Sequence, residues 1–317
     1  AGQPLRASRA VDWTGILLLV AGLASLQVVL EQGRQYDWFA SAWIRQLSLL
    51  CAIAVPTFVW WEWRSPHPAV DLRVLRHRSL AAGSIFSMVL GMGLYGTVFV
   101  VPIFAQSVLH YTATQTGLMM LPGALASAVT MGVLGKNAHR FDPRLLILVG
   151  AAAMVATMLN LATINPDSSD QSLYWPLILR GVTTVMMFLP LSLATLGPLP
   201  REEVGAGSGF YNLTRQLGGS FGIAMLTVVL DHQQAVHRSQ LVEHLASTNP
   251  LLQQRLAGMT SWLDGHANQA LELLSLQVDR QAALLAYADV FRLVALVFAL
   301  AIPLVLLLGK PSPQGAP

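Results

Sequence analysis

Between Gly207 and Leu230 the chain reads GSGFYNLTRQLGGSFGIAMLTVVL, and three of its side chains do not suit the rest. Asn212, Arg215 and Gln216 put a permanent cation and two amides into a run whose second half is apolar enough for a lipid bilayer. On a helix, Asn212, Arg215, Gly219 and Gly222 fall on one face by steps of three and four. Gly218 and Gly222 have the small-xxx-small spacing that lets a neighbouring helix approach closely. Arg215 begins some two turns inside the run, roughly 12 Å along a helix axis. A guanidinium facing lipid there would cost ~2.5–3.5 kcal/mol on insertion scales. The expectation is a water-filled cavity or a buried polar partner, which makes this a pathway or gate helix. Its candidate residues are Asn212, Arg215, Gln216, Gly219 and Gly222.

Other spacings point to chemistry less well. Gly218-Gly219-Ser220-Phe221-Gly222 fits the G-x-S-x-G pattern of a nucleophile elbow, which needs a strand–turn–helix setting and a histidine within reach. All eight histidines lie outside the apolar runs. Gly205-Ala206-Gly207-Ser208-Gly209 resembles a phosphate cradle, but no strand precedes it and no lysine follows. The histidines show neither H-E-x-x-H nor paired spacing, and Cys51 is the sole cysteine, so no metal site, cofactor or disulfide framework is expected. The chain does not read as an enzyme.

The elements that must position these residues follow from composition. Apolar residues make up 54% of the chain and charged ones 11%, with mean hydropathy +0.55, whereas a soluble domain carries about 25% charged residues. Runs near the ~20 residues that cross a bilayer lie at 11–30, 42–61, 80–104, 116–135, 145–164, 175–196, 207–230 and 284–308. A β-barrel would need short alternating strands, which these are not. The net charge of +3 is scattered between the runs, which argues against nucleic acid. One set of connections holds Arg6, Arg9, Arg64, Arg73, Arg76, Arg78, Lys136, Arg140, Arg144, Arg201 and Lys310, while the short loops of the other set hold Arg34 alone. By the positive-inside rule both ends are expected in the cytoplasm. Seven tryptophans near predicted span ends match an aromatic belt. The connection 231–283, on the outer side, is polar with helical texture and is expected to form a solvated cap or a docking surface for a partner. Five runs contain proline, which a membrane bundle tolerates because neighbouring helices satisfy the freed backbone groups.

Strings along the whole chain carry a family resemblance. They are DWTGILLLVAGLASLQVVLEQGRQYDWF, PAVDLRVLRHRSLAAGS, YTATQTGLMMLPGALASAV, GKNAHRFDPRLLILVG and LILRGVTTVMMFLPLSLATLGPLPREEVGAGSGFYNLTRQLGGSFGIA. In this order they resemble the second half of the fourteen-span, EmrB/QacA-like drug:proton antiporters of the major facilitator superfamily. The resemblance implies an all-α integral membrane protein: a multi-pass bundle formed by that superfamily's C-terminal half plus two inserted spans. Residues 1–61 would be a cytoplasmic linker and the inserted pair, and 62–317 the six-helix half, with 231–283 as its long outer loop. It also implies that an N-terminal half is missing here, and with it the membrane carboxylates that couple transport to protons. In keeping with this, every Asp and Glu lies in a loop or near a span end. The stretch from Gly135 to Arg144 resembles the superfamily's glycine–basic loop motif in degenerate form, with Lys136, Arg140 and Arg144 as its bases and Asp142 displaced towards its end. In the family this loop latches adjacent helices. Leu179-Arg180-Gly181 stands at the second-half counterpart of a membrane arginine motif. Arg180 is a further pathway or gate candidate, although it is close enough to the predicted outer edge to snorkel.

The expected function is part of a proton-coupled multidrug efflux transporter of the bacterial inner membrane, exporting amphipathic or cationic compounds by alternating access. Its expected partners are a small-molecule substrate, the N-terminal half, membrane lipid and a periplasmic adaptor protein. Two alternatives stand beside it: an exporter of a metabolite or siderophore, and a membrane scaffold or receptor-like subunit that transports nothing.

Overall fold

A long apolar run in lipid must satisfy its backbone N–H and C=O groups internally, and a helix does so within one segment. The computed structural model describes residues 12–33, 35–65, 75–137, 140–164, 170–243, 245, 250–262 and 266–305. Among them it is helical: α1 (Trp13–Gln32), α2 (Ala42–Arg64), α3 (Arg78–Ser107), α4 (Ala113–Asn137), α5 (Pro143–Leu161), α6 (Asp170–Leu196), α7 (Val204–Glu243), α8 (Pro250–Trp262) and α9 (Ala267–Val305). Eight of these, all but α8, are long and apolar enough to cross a membrane. The ends have visible causes. Asp12 caps α1 by accepting from the Gly15 N–H at 2.8 Å, and Asp142 with Pro143 opens α5.

Six of the long helices form one bundle. The closest pairing is α3 along α7; α7 packs on α9, α9 on α5, α5 on α6, and α6 on both α4 and α3. The core between them holds fully buried Phe86, Leu90, Met154, Met187, Tyr211 and Phe298. Helices α1 and α2 pair mainly with each other and meet the bundle through α7. The α3–α7 seam is made of glycines. A Cβ on Gly222 would stand 2.7 Å from Met92 Cα, and one on Gly219 would stand 2.5 Å from the Tyr95 ring. A Cβ on Gly91 or Gly218 would run into the backbone carbonyls of Arg215 and Met88. Only a residue without a side chain permits backbones this close.

The helical texture expected of 231–283 is present in the structure. Helix α7 runs to Glu243 and α9 starts at Ala267, so each is 39–40 residues long. At 1.5 Å per residue that is about 60 Å, twice the ~30 Å hydrocarbon core. Most of 231–283 is therefore continuous helix, an antiparallel pair leaving the membrane rather than a loop, with α8 packed on α9. Polar ties hold the pair. Gln233 Nε2 donates to Asp289 Oδ2 at 3.0 Å, His237 Nε2 sits 2.7 Å from the same oxygen, and Arg238 Nε meets Asp279 Oδ1 at 2.6 Å. Arg280 Nε donates to the Val108 carbonyl at 3.1 Å, tying α9 to the end of α3.

Candidate functional site

The polar residues of α7 meet α3 and α6 at one place. Arg215 NH2 donates to Asn212 Oδ1 at 2.6 Å, one turn back along the helix. Its guanidinium lies over the Phe188 ring of α6, 4.7 Å from the centroid, with the Tyr211 ring at 6.0 Å. Such stacking leaves the in-plane N–H groups to point elsewhere. One nitrogen, NH1, is buried and has no hydrogen-bond partner, and among the described residues no carboxylate pairs with this arginine. Asn212 Nδ2 turns back to the Ser208 carbonyl at 2.9 Å. The exposed Gln216 accepts from Tyr95 OH of α3 at 3.5 Å. Tyr211 is 1% exposed, with its hydroxyl buried and unpartnered. The ensemble is a cation held by an aromatic face and an amide, with donor capacity left open. It can donate to a carbonyl, carboxylate or phenolate of a bound molecule.

Arg180 is a second buried-side cation. Its NH1 reaches Thr97 Oγ1 of α3 at 3.4 Å, and its Nε is buried without a partner. Gly181, the next residue, fits against Gly123 and Ser127 of α4. The side chain is turned to α3, and Arg180 lies almost three turns inside α6, which begins at Asp170.

Comparison with known proteins bears on what such a bundle is. The family description Major Facilitator Superfamily matches residues 11–223. The chain belongs to the major facilitator superfamily. The multidrug export protein EmrB of Haemophilus influenzae is 29% identical over 303 residues, which cover 95% of this chain and 59% of that protein. The fatty acid resistance protein FarB of Neisseria gonorrhoeae is 26% identical over 306 residues, 96% of this chain and 60% of that protein. This superfamily member therefore spans about three fifths of the length of the curated relatives it matches. A solved bacterial homologue of the human lysosomal transporter Spinster, inward-facing and unoccupied, aligns with a TM-score of 0.49 and 14% identity, covering 93% of this chain and 71% of that one.

The remaining site residues fall into two groups. Gly219 and Gly222 are buried in the seam with α3, against Tyr95 and Met92. In the glycine–basic stretch, Gly135 and Lys136 end α4 exposed, Arg140 is exposed, and Asp142 Oδ1 accepts from the Arg144 N–H at 2.9 Å to cap α5. Residues 138–139 of that stretch lie outside the described residues. Its carboxylate caps a helix and does not reach Arg215. Sequence reasoning missed Phe188, Tyr211, Tyr95 and Thr97, which complete the two arginine environments. Phe188, Tyr95 and Thr97 lie in apolar runs, and Tyr211 beside the polar residues of α7, but spacing along one helix does not say which face meets which neighbour.

Proposed function

We propose that this chain is the C-terminal part of a proton-coupled multidrug exporter working by alternating access, with the spans α3–α7 and α9 as the six-helix half (62–317) and α1–α2 as a pair inserted before it (1–61). The separate packing of α1 with α2, joined to the bundle through α7, supports that division. The observation that carries the function is Arg215, a cation in a membrane helix with a buried, open donor and no acidic partner among the described residues. Arg215 itself is half-buried, but its NH1 is buried with no acceptor, and a buried donor left unsatisfied is costly. A substrate can supply the acceptor during part of a transport cycle. This favours substrates that carry a carbonyl or an anionic oxygen on an apolar frame, beside the amphipathic compounds the sequence points to.

Proton coupling is assigned to carboxylates supplied by the N-terminal half. Among the acids nearest the spans, Asp12, Glu31 and Glu62 stand at the ends of α1 and α2, Asp231 follows the apolar stretch 207–230, and Asp289, early in the stretch 284–308, is tied to Gln233 and His237. The protein is placed in the bacterial inner membrane with both ends of this chain in the cytoplasm and the α7–α8–α9 projection outside. A periplasmic adaptor is its proposed partner there, and Arg180 and the Gly135–Arg144 stretch are proposed as gate and latch elements. The test is transport in liposomes with an imposed pH gradient. The complete transporter should move substrate with the gradient and this chain alone should not. Robust proton-driven transport by this chain alone would overturn the proposal.

A further inference from the structure

Two guanidiniums stand inside the bundle, and each keeps a buried donor without an acceptor. In the apolar stretches 80–104, 175–196 and 207–230 of α3, α6 and α7, Arg180 and Arg215 are the only charged side chains. Arg215 NH1 and Arg180 Nε are both buried with no hydrogen-bond partner. Neither arginine has a carboxylate partner among the described residues. Arg215 has Asn212 and the Phe188 ring, while Arg180 has one long bond, 3.4 Å, to Thr97 Oγ1. Thr97 is 1% exposed and gives its own hydrogen to the Gly93 carbonyl at 2.8 Å, so its oxygen meets Arg180 as an acceptor. The backbone that carries Arg180 is held on two sides. Thr183 Oγ1 donates to the Arg180 carbonyl at 3.0 Å, and a Cβ on Gly181 would run into the Gly123 carbonyl of α4. The guanidinium is fixed in place and still lacks an anion.

The two cations stand at different depths. Phe188, under the Arg215 guanidinium, lies eight residues beyond Arg180 on α6, about 12 Å along the axis. Successive spans run in opposite directions, so Arg180 is nearer the side from which α7 and α9 project, and Arg215 nearer the other. Between them α3 supplies a polar step. Tyr95, two residues before Thr97, donates to Gln216, the neighbour of Arg215, at 3.5 Å. Asn212, Arg215, Gln216, Tyr95, Thr97 and Arg180 thus follow one another through three otherwise apolar helices. Each guanidinium can give an anionic oxygen a charge-assisted hydrogen bond, the stronger kind. Across about 12 Å one such oxygen cannot touch both, so the two must serve in turn.

We propose that Arg180, with Thr97, is a second station for the anionic oxygen of a transported molecule, occupied after Arg215 and before release to the outer side. The ligand class is an amphipathic carboxylate or phenolate. The inference rests on the reading of Arg215 as a donor to substrate, and it goes beyond a gate role for Arg180. A gate residue changes how fast the pathway opens. A station binds the anion from the side it faces, and that difference can be measured.

The test uses the complete transporter in everted vesicles, whose bath meets the cytoplasmic side and whose lumen meets the outer side. The transported probe is 1-pyrenebutyrate, added to the bath. The blocker is 8-anilinonaphthalene-1-sulfonate, an anion slow to cross a bilayer, trapped in the lumen. Luminal sulfonate is expected to inhibit uptake saturably. Arg180→Gln should raise the luminal inhibition constant at least tenfold and leave the bath KM within about twofold. Arg215→Ala should do the reverse, raising the bath KM at least tenfold. Arg180→Lys keeps the charge and loses the Nε donor, so it should raise the luminal constant severalfold, and it carries the test if Arg180→Gln does not fold. Absence of luminal inhibition would overturn the proposal, as would a luminal constant and a bath KM that rise together in the Arg180 variants. A lower maximal rate with an unchanged luminal constant would leave Arg180 as a gate alone and would also overturn it. An unchanged bath KM in Arg215→Ala would instead refute the reading of Arg215, and the hand-over with it.

Discussion

Adding one methyl group at Gly222 tests whether the α3–α7 seam sets the position of Arg215. A Cβ there would stand 2.7 Å from Met92 Cα and 2.8 Å from Met92 O. Carbon–carbon contacts are optimal at about 3.5–4.0 Å, so the two backbones must part by about 1 Å. Neither atom can swing aside, because both belong to the helix backbone of α3. Overpacking of this kind costs about 1–3 kcal/mol, offset by the ~0.4–1 kcal/mol that Gly→Ala returns through the unfolded chain. Gly222→Ala is therefore expected to destabilise by about 1–2 kcal/mol, while Gly132→Ala on α4, which meets nothing within 4 Å, should be neutral or slightly stabilising. Gly218→Ala presses on Met88 across the same crossing. Once the helices have parted for one methyl group the second costs less, so the double variant should lose less than the sum of the singles. The assay is reversible unfolding of the purified chain in mixed micelles, followed by far-ultraviolet circular dichroism. Equal effects of Gly222→Ala and Gly132→Ala, or strict additivity of Gly218→Ala with Gly222→Ala, would refute the reasoning.

Three further outcomes follow. The hydrogen bond from His77, with the Arg76 guanidinium beside it, holds the Glu203 carboxyl below its ordinary value of 4.5. A depressed folded value means this tie stabilises above the unfolded value and is lost as pH falls through the folded one. The melting-temperature gap between the natural chain and Glu203→Gln should therefore be present near about pH 6 and shrink below about pH 4.5; a gap that widens on acidification would contradict this. Cysteines placed at Ser239 and Ser65 in a Cys51→Ser background report topology: an impermeant maleimide should label Ser239→Cys in whole cells and leave Ser65→Cys untouched, and the reverse pattern would invert the orientation. Thr97→Val removes the partner of Arg180 NH1 and, as a single modest hydrogen bond, should cost about 1 kcal/mol; loss of folded protein would mean that Arg180 has a larger structural role.

Hydropathy alone located all eight crossing helices, and most of its boundaries fall within three or four residues of the structural ones, because the bilayer imposes one length on every span. It erred where the bilayer stops imposing anything. Beyond Leu230 and before Leu284 the helices continue as a polar pair held by Asp289, His237 and the Arg238–Asp279 bridge, and hydropathy scores such stretches as connections. The polar triplet of α7 was visible because charge is conspicuous in an apolar run. Its setting was not, since Phe188 is one apolar residue among many in α6 and nothing in its spacing directs it at Arg215. The span of Arg180 starts at Asp170 in the structure, five residues before Trp175, and its contact with Thr97 of α3 could not be read from spacing along α6 alone. Glu62 is 3% exposed at the end of α2, beside Gly15 of α1, a burial that appears only when the two helices are paired.

The most direct test of the central claim is Arg215→Ala in the complete transporter, with folding and function measured on the same preparations. Efflux from everted vesicles is followed alongside the elution profile of the purified protein in detergent. Loss of the open donor should leave a single folded peak and reduce efflux at least tenfold. Arg215→Lys should be intermediate, because a point charge neither stacks on Phe188 as a plane does nor reaches Asn212 in the same fork. A folded Arg215→Ala transporter with undiminished efflux would contradict the assignment of Arg215 to the substrate pathway.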